Sequence, residues 1–225
     1  MKPLGEEHLA LFRRHMVEIV DMHVELASEE IGKDGLDPRL RTALLRVQRH
    51  LFVPAQLALA AYQDTPLPIG FDKTVSQPFI GALMLDLLDI EPGDKVLEVG
   101  TGLGYQAAVM AEMGADVFSV EIVEEFANEA VMRLRAFGYG DVQVRTGDGT
   151  RGWAEHAPFD KILVTAAAPT PPQALAEQLR PGGRLVMPLG GKDVQELSVV
   201  DKKLDGSLAT RGIIPVRFTQ LETIA

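Results

Sequence analysis

"VLEVGTGLGYQ", residues 96–106, places glycines at positions 100, 102 and 104 directly behind an apolar run, with the acid Glu98 two residues ahead of the first. Glycine at that density after a buried strand marks a backbone that must approach something closely. A dinucleotide fingerprint would put its third glycine at position 105, which is Tyr105, and no Lys-Ser or Lys-Thr follows, so a P-loop is excluded. The tighter Gly-x-Gly-x-Gly spacing lets backbone pass under a bulky organic ligand and leaves less room to cradle a pyrophosphate. Taken alone, the run reads either as a ligand-facing loop or as a tight strand-to-helix turn.

The flanking sequence decides the fold. A helical stretch over residues 78–90 precedes the strand "DKVLEVG", and a helix from Tyr105 to Met113 follows the glycines. "DVFSVEI" is the next strand, then a helix over 123–137, then the strands "DVQVRTGDG", "FDKILVTAA" and "GGRLVMPLG", with a helix around "PPQALAEQLR" between the last two. Strands and helices alternating over short connections predict an α/β fold with a doubly wound, mostly parallel sheet. The tail "QELSVVDKKLDGSLATRGIIPVRF" reads as strand, turn at Asp205-Gly206 and strand, an antiparallel C-terminal pair.

Two N-terminal helices are expected. Residues 6–31 carry Leu9, Phe12, Met16, Ile19, Val20, His23 and Val24 at helical spacing. In "LDPRLRTALLRVQRHLFVP", Asp37 is an N-cap, Pro38 the first helical residue, Leu40, Leu44, Val47 and Leu51 the apolar stripe, and Pro54 the stop. Arg39, Arg41, Arg46 and Arg49 are read as the solvated face of that helix. Residues 61–76 are rich in Pro, Gly and Asp without periodicity, and so long an irregular segment in a compact domain points to function. With no repeat and no linker, residues 1–225 are expected to form one domain, helical over 1–60 and ligand-binding over 61–225.

With 46% hydrophobic and 24% charged residues, the composition is that of a globular protein. The net charge of −10 argues against partnership with nucleic acid or an anionic membrane. The chain has no cysteine, which removes thiolate chemistry and disulfides and fits a reducing compartment. "MKPLGEEHLALFRRH" lacks the apolar core of a signal peptide, and no run approaches the ~18 apolar residues of a membrane span. A cytoplasmic location is the expectation.

In an open parallel sheet, ligands bind beyond the carboxyl ends of the strands. Glu121 ends the second strand of the alternating part, where a carboxylate can accept from both hydroxyls of a ribose; a solvated acid beside Glu124 and Glu125 is the plainer reading. "GDG" at 147–149 ends the third, where Asp148 either accepts from an adenine amino group or makes a simple Asx turn. Three signals at three successive strand ends favour a nucleotide-like ligand.

"LPIGFDKTVSQPFI", "VLEVGTGLGYQAA", "GDGTRGW", "APFDKILVTAAAP", "LRPGGRLVMPLG" and "VRFTQLE" together resemble the protein-L-isoaspartate O-methyltransferases, in order and over nearly the whole chain from "RHLFVPA" onward. The resemblance implies a Rossmann-like class I methyltransferase fold, S-adenosyl-L-methionine as methyl donor with S-adenosyl-L-homocysteine as product, and isoaspartyl-containing peptides and proteins as acceptors, handled by a monomer. It implies Ser76 as the active-site serine. The donor's expected neighbours are Thr74, Val75 and Ser76; Glu98, Gly100, Thr101, Gly102, Gly104, Tyr105 and Gln106; Glu121 and Ile122; Gly147, Asp148 and Gly149; and Thr165. The chain departs from the family pattern at Phe71-Asp72-Lys73 and Val75.

A substrate carboxylate, with a pKa near ~4, is already ionised at neutral pH. Its methylation by a sulfonium needs neither a general base nor a metal, in keeping with histidines scattered at 8, 15, 23, 50 and 156. His23 is read as packing. Ser76, ahead of Gln77-Pro78, is read as an N-cap that also orients the acceptor. Tyr105, Gln106 and Thr165 are placed near the methionine end of the donor, Trp153 and Phe159 in packing, and Arg217 in solvent on a strand that can offer backbone to a peptide. Three alternatives remain: a carboxyl methyltransferase for one dedicated peptide or small acid, a non-catalytic nucleotide-binding scaffold, and a nicotinamide oxidoreductase disfavoured by Tyr105.

Overall fold

A computed structural model describes residues 5–224. Seven strands form the main sheet: β3 (Lys95–Val99), β4 (Asp116–Glu121), β5 (Gln143–Thr146), β6 (Phe159–Val164), β7 (Leu179–Gly190), β8 (Gln195–Lys202) and β9 (Leu208–Val216). Across the sheet they lie in the order β5-β4-β3-β6-β7-β8-β9. The first five run parallel, while β8 is antiparallel to both β7 and β9. After β5 the chain crosses back to place β6 beside β3, so the strand order reverses at the carboxyl end of β3, where the glycine run begins. The expected doubly wound sheet and antiparallel C-terminal pair are both present.

Alternate residues of each strand feed two cores. Val96, Val117 and Leu163 point into the larger one, shared with helices α1 (Glu6–Leu26), α3 (Pro38–Arg46), α4 (Pro78–Leu88) and α5 (Tyr105–Glu112). Leu97, Phe118, Ile162 and Val164 point into the other, shared with Leu175 of α7 (Gln173–Gln178). The N-terminal helices thus complete the core on one face of the sheet. The second core holds Phe159 in edge-on contact with Phe118, and Trp153 stands edge-on to Phe118 as well, so both aromatics pack as expected.

Three expectations change. The helix expected over 6–31 breaks at Ala27, whose ψ of 17° lets a short helix α2 (Ser28–Ile31) turn Ile31 into the core. The next helix stops at Arg46 rather than running to Pro54. Val47 is extended and Arg49–Phe52 wind as a 3₁₀ turn, which rotates Arg49 out of the solvated row and buries it to 1% exposure. Residues 61–76 contain a hairpin, β1 (Leu67–Gly70) paired with β2 (Lys73–Val75). Its two turn residues, Phe71 and Asp72, have φ of 50° and 54°, the left-handed pair that a two-residue hairpin turn requires. Among the described residues, no helix is long and apolar enough to cross a membrane.

Candidate active site

The three glycines answer to three different constraints. Gly100, at φ 96°, sits where a Cβ would lie 2.3 Å from Thr165 Oγ1, so any side chain there would displace the end of β6. Gly102 turns its N–H to Glu121 Oε2 at 2.8 Å. Gly104, at φ 93°, is the N-cap of α5, and a Cβ on it would press against Leu134 of helix α6 (Glu124–Ala136) at 3.2 Å. Only the first two face open space; the third serves helix packing.

That space is a crevice of about 750 Å³ beyond the carboxyl ends of β3, β4 and β6. Glu121 stands on its wall with each carboxylate oxygen already fixed, Oε2 by Gly102 N and Oε1 by Val123 N at 3.0 Å. Each oxygen can accept twice, so a lone pair on each remains for a diol. Thr165 Oγ1 bonds back to the Val99 and Gly100 carbonyls, at 3.2 and 3.0 Å. Thr74, Ser76, Ile122 and Gly149 complete the expected residues that line the crevice.

Eight others lie behind the wall. Glu98 is wholly buried beneath the loop, where its Oε2 accepts from Ser119 and its Oε1 has no partner. Thr101 bonds Ser119 at 2.5 Å; with the single Ser119 proton given to Glu98, Thr101 is the donor in that pair. Burial pushes the Glu98 carboxyl up to about 8, against the lowering effect of the Ser119 bond and with a smaller upward push from Glu121. Burial thus favours the neutral carboxyl at pH 7, and Glu98 props the loop from beneath, outside the crevice lining.

Tyr105 and Gln106 were expected near the donor's methionine end, but α5 turns both inward. Gln106 Nε2 donates to Gly81 O at 3.1 Å, and the buried Tyr105 hydroxyl has its pKa pushed up to about 12 by desolvation. Val75 points away from the crevice into a small cluster with Val53, Ala61 and Leu67, the other side of β2 from Thr74. Gly104 and Gly147 are also outside the lining. Asp148 makes the Asx turn. Its Oδ1 accepts from Thr150 N and Oγ1 and its Oδ2 from Ile224 N, so it caps the turn after β5, outside the crevice lining.

Ser76 lies on the wall but does not cap α4. The N-cap residue is Gln77, with Pro78 at the first helical position. The cap comes from Asp64, whose Oδ1 accepts from Phe79 N at 2.8 Å and whose Oδ2 accepts from Gln77 Nε2 at 2.9 Å. His23 Nδ1 lies 2.9 Å from the same Oδ2 without forming a hydrogen bond, and its ring packs edge-on against Phe79. With a remote carboxylate holding the helix start, the Ser76 hydroxyl is left for the crevice.

The roof was not foreseen. The β1–β2 hairpin crosses the crevice, its Phe71 ring edge-on to Phe126 of α6 at 5.3 Å and Lys73 Nζ paired with Glu222. The C-terminal segment closes the opposite side, stitched to the end of β6 by Ala167 N to Thr219 O and Leu221 N to Ala167 O. Arg217 is exposed on the rim, as expected. Lys73 and residues 219–222 carried no local signal beyond their place in the quoted motifs.

The chain is similar to known proteins over most of its length. The family model described as Protein-L-isoaspartate(D-aspartate) O-methyltransferase (PCMT) matches residues 23–223. Protein-L-isoaspartate O-methyltransferase 1 of Polaromonas sp. (strain JS666) is 48% identical over 219 residues, 97% of this chain and 93% of the relative. Protein-L-isoaspartate O-methyltransferase 2 of the same organism is 52% identical over 207 residues, 92% of this chain and 98% of the relative. Among solved structures, a protein-L-isoaspartate O-methyltransferase superposes with a TM-score of 0.79 at 28% identity, covering 92% of this chain; the chain spans 65% of that longer one. A Plasmodium falciparum structure in complex with S-adenosyl-L-homocysteine shares the fold, with a TM-score of 0.73 at 24% identity over 84% of this chain and 92% of that one.

Proposed function

Because the chain belongs to the protein-L-isoaspartate(D-aspartate) O-methyltransferase family, we propose that this crevice holds the methyl donor along Gly100, Gly102, Glu121 and Thr165 and receives an isoaspartyl carboxylate at Ser76. The enzyme is S-adenosyl-L-methionine-dependent and methylates isoaspartyl residues of proteins. The observation that carries the residue assignment is that one cavity is lined at once by the side-chain-free loop, by Glu121 and by Ser76.

The residues suit the donor. Gly100 and Gly102 line the crevice with backbone alone, the first because Thr165 leaves no room for a Cβ, and Glu121 is pinned with two lone pairs to spare for the ribose diol. The bound sulfonium supplies an electrophilic methyl group.

Everything else falls to the chain's own groups. The acceptor carboxylate arrives ionised, so no side chain has to remove a proton. The Ser76 hydroxyl donates one hydrogen bond to one carboxylate oxygen and fixes the direction of the other. Phe79 N–H is committed to Asp64, so the start of α4 contributes less to the anion than an uncapped helix would. Ile69, Ile80, Val99, Val120 and Phe126 make the crevice walls apolar, which favours a step that brings opposite charges together and cancels them. Methoxide leaves the product ester more readily than hydroxide would leave the acid, so the neighbouring amide nitrogen attacks the ester carbonyl, gives up its proton, expels methanol and closes a succinimide. A monomer in the cytoplasm without nucleic-acid or membrane partners belongs to the same proposal, supported by the −10 charge and the cysteine-free sequence.

The test compares isoaspartyl and aspartyl versions of one peptide with labelled donor, following methyl incorporation by mass. An isoaspartyl residue carries its free carboxylate one methylene nearer the chain, and displacement by about 1 Å costs on the order of 10²-fold when reacting atoms must align. Methylation of the isoaspartyl peptide in several sequence contexts, with negligible reaction of the aspartyl one, is the expected result. Equal rates, or no reaction with either beside rapid methylation of another acid, would replace repair with a dedicated substrate.

A further inference from the structure

Arg49 is fully buried, and its guanidinium donates to two backbone carbonyls rather than pairing with a carboxylate. Nε reaches Ala61 O at 2.8 Å and Nη2 reaches Ser76 O at 2.6 Å. Its flat face lies 4.8 Å from the centre of the Tyr105 ring, and Asp64 acts on it only through space. The two carbonyls open and close the segment 61–76, which carries the roof hairpin and ends at the proposed acceptor-orienting serine. A guanidinium donates in fixed, coplanar directions, so one rigid group sets both ends of this segment relative to each other. On the far side of Ser76, Asp64 holds Gln77 and Phe79. The serine is held at its own carbonyl by Arg49 and just beyond it through Asp64, while its side chain lines the crevice.

We infer that Arg49 is a positioning residue for methyl transfer: by joining the Ala61 and Ser76 carbonyls it fixes the backbone that aims the Ser76 hydroxyl into the crevice. Methionine, of similar length and without charge, would fill the space but leave the Ala61 and Ser76 carbonyls without this donor, so product binding is the check that the fold survives. What methionine would not supply is the fixed distance between the two carbonyls. The inference rests on Ser76 orienting the acceptor, and the experiment separates the two.

Turnover of an isoaspartyl peptide is measured for wild type, R49M, R49K, S76A and R49M/S76A, with calorimetric binding of S-adenosyl-L-homocysteine to each as the check on folding. R49M is expected to bind the product as wild type does and to lose on the order of 10²-fold in kcat, the penalty for misaligned reacting atoms. R49K keeps the charge but not the fork and falls between the two. Because Arg49 acts through Ser76, R49M/S76A is expected to be no slower than S76A alone. Losses that multiply in the double variant, or wild-type kcat in both Arg49 variants, would overturn the inference. If R49M fails to bind product, R49K and R49K/S76A take its place: a double variant no slower than S76A supports the inference, and multiplied losses overturn it. If S76A alone turns over like wild type, the reading of Ser76 falls and takes this one with it, an outcome distinct from multiplied losses.

Discussion

Glu98 is a carboxyl held neutral inside the protein, and raising the pH removes that neutrality. Its folded pKa is about 8 against an ordinary 4.5, raised mainly by desolvation. A proton bound more tightly in the fold than in the unfolded chain stabilises the fold only while that proton is present in both. The contribution is complete below pH 4.5, declines as pH rises through the interval, and is lost above about 8. At about 1.4 kcal/mol per pH unit, the interval amounts to roughly 5 kcal/mol, comparable with the whole stability of a small domain. Between pH 5 and 8 the loss is roughly 3–4 kcal/mol. Glu98→Gln keeps the shape and the acceptor for Ser119 but cannot titrate. Its amide, like the protonated carboxyl, puts a donor where Oε1 has no partner, so at pH 5 the two proteins are expected to be of similar stability. The variant should then become the more stable of the two as pH climbs. Urea melts of both proteins at pH 5, 6, 7 and 8 read this directly, since every other titrating group cancels in the comparison. A wild-type-minus-variant difference that stays constant with pH would refute a buried, proton-bearing Glu98.

Glu121→Ala removes the acceptor proposed for the ribose and frees the N–H groups of Gly102 and Val123, and should weaken S-adenosyl-L-homocysteine binding by roughly 1–3 kcal/mol; unchanged affinity by calorimetry would displace the ribose site. Ser76→Ala should leave the melting temperature and product affinity alone while lowering kcat, because Asp64 and not Ser76 caps α4; an equal fall in stability would restore the capping role. Asp148→Ala should lower stability by ~1 kcal/mol through the lost cap, seen as a drop in melting temperature. Asp72→Gly relieves a left-handed residue and should stabilise by about 0.5–1 kcal/mol in thermal melts, with no gain expected at a position of ordinary φ.

The sheet was legible because its signals are local. Alternating apolar runs, short connections and the Asp205-Gly206 turn each lie within a few residues of what they determine. Glu121 was legible for the same reason, as the last residue of its strand. The errors share the opposite cause. Nothing between Leu40 and Leu51 interrupts the helical spacing, so Arg49 matched the polar row of a helix that in fact ends at Arg46 and rewinds as a 3₁₀ turn. Ser76 had the spacing of an N-cap, but Asp64, well upstream in the chain, reached α4 first. Tyr105 sat at the right helix end. Whether a side chain at such an end faces ligand or core depends on neighbours far away in sequence, here Arg49.

The roof has a consequence for the pace of the enzyme. It is clasped by an ion pair, Lys73 at 20% side-chain exposure with Glu222 at 56%, and by an edge-on ring contact, Phe71 with Phe126. An exposed pair contributes about 0–1 kcal/mol and an aromatic pair about 0.5–1.5 kcal/mol. Together, at about 1–2 kcal/mol, they favour the shut arrangement over the parted one by roughly 5- to 30-fold. Loop and hinge motions against so shallow a bias occur in microseconds to milliseconds, whereas a typical enzyme completes about ten turnovers per second. The clasp therefore holds the hairpin only lightly across the crevice. Added salt loosens its ionic half and leaves the ring contact in place.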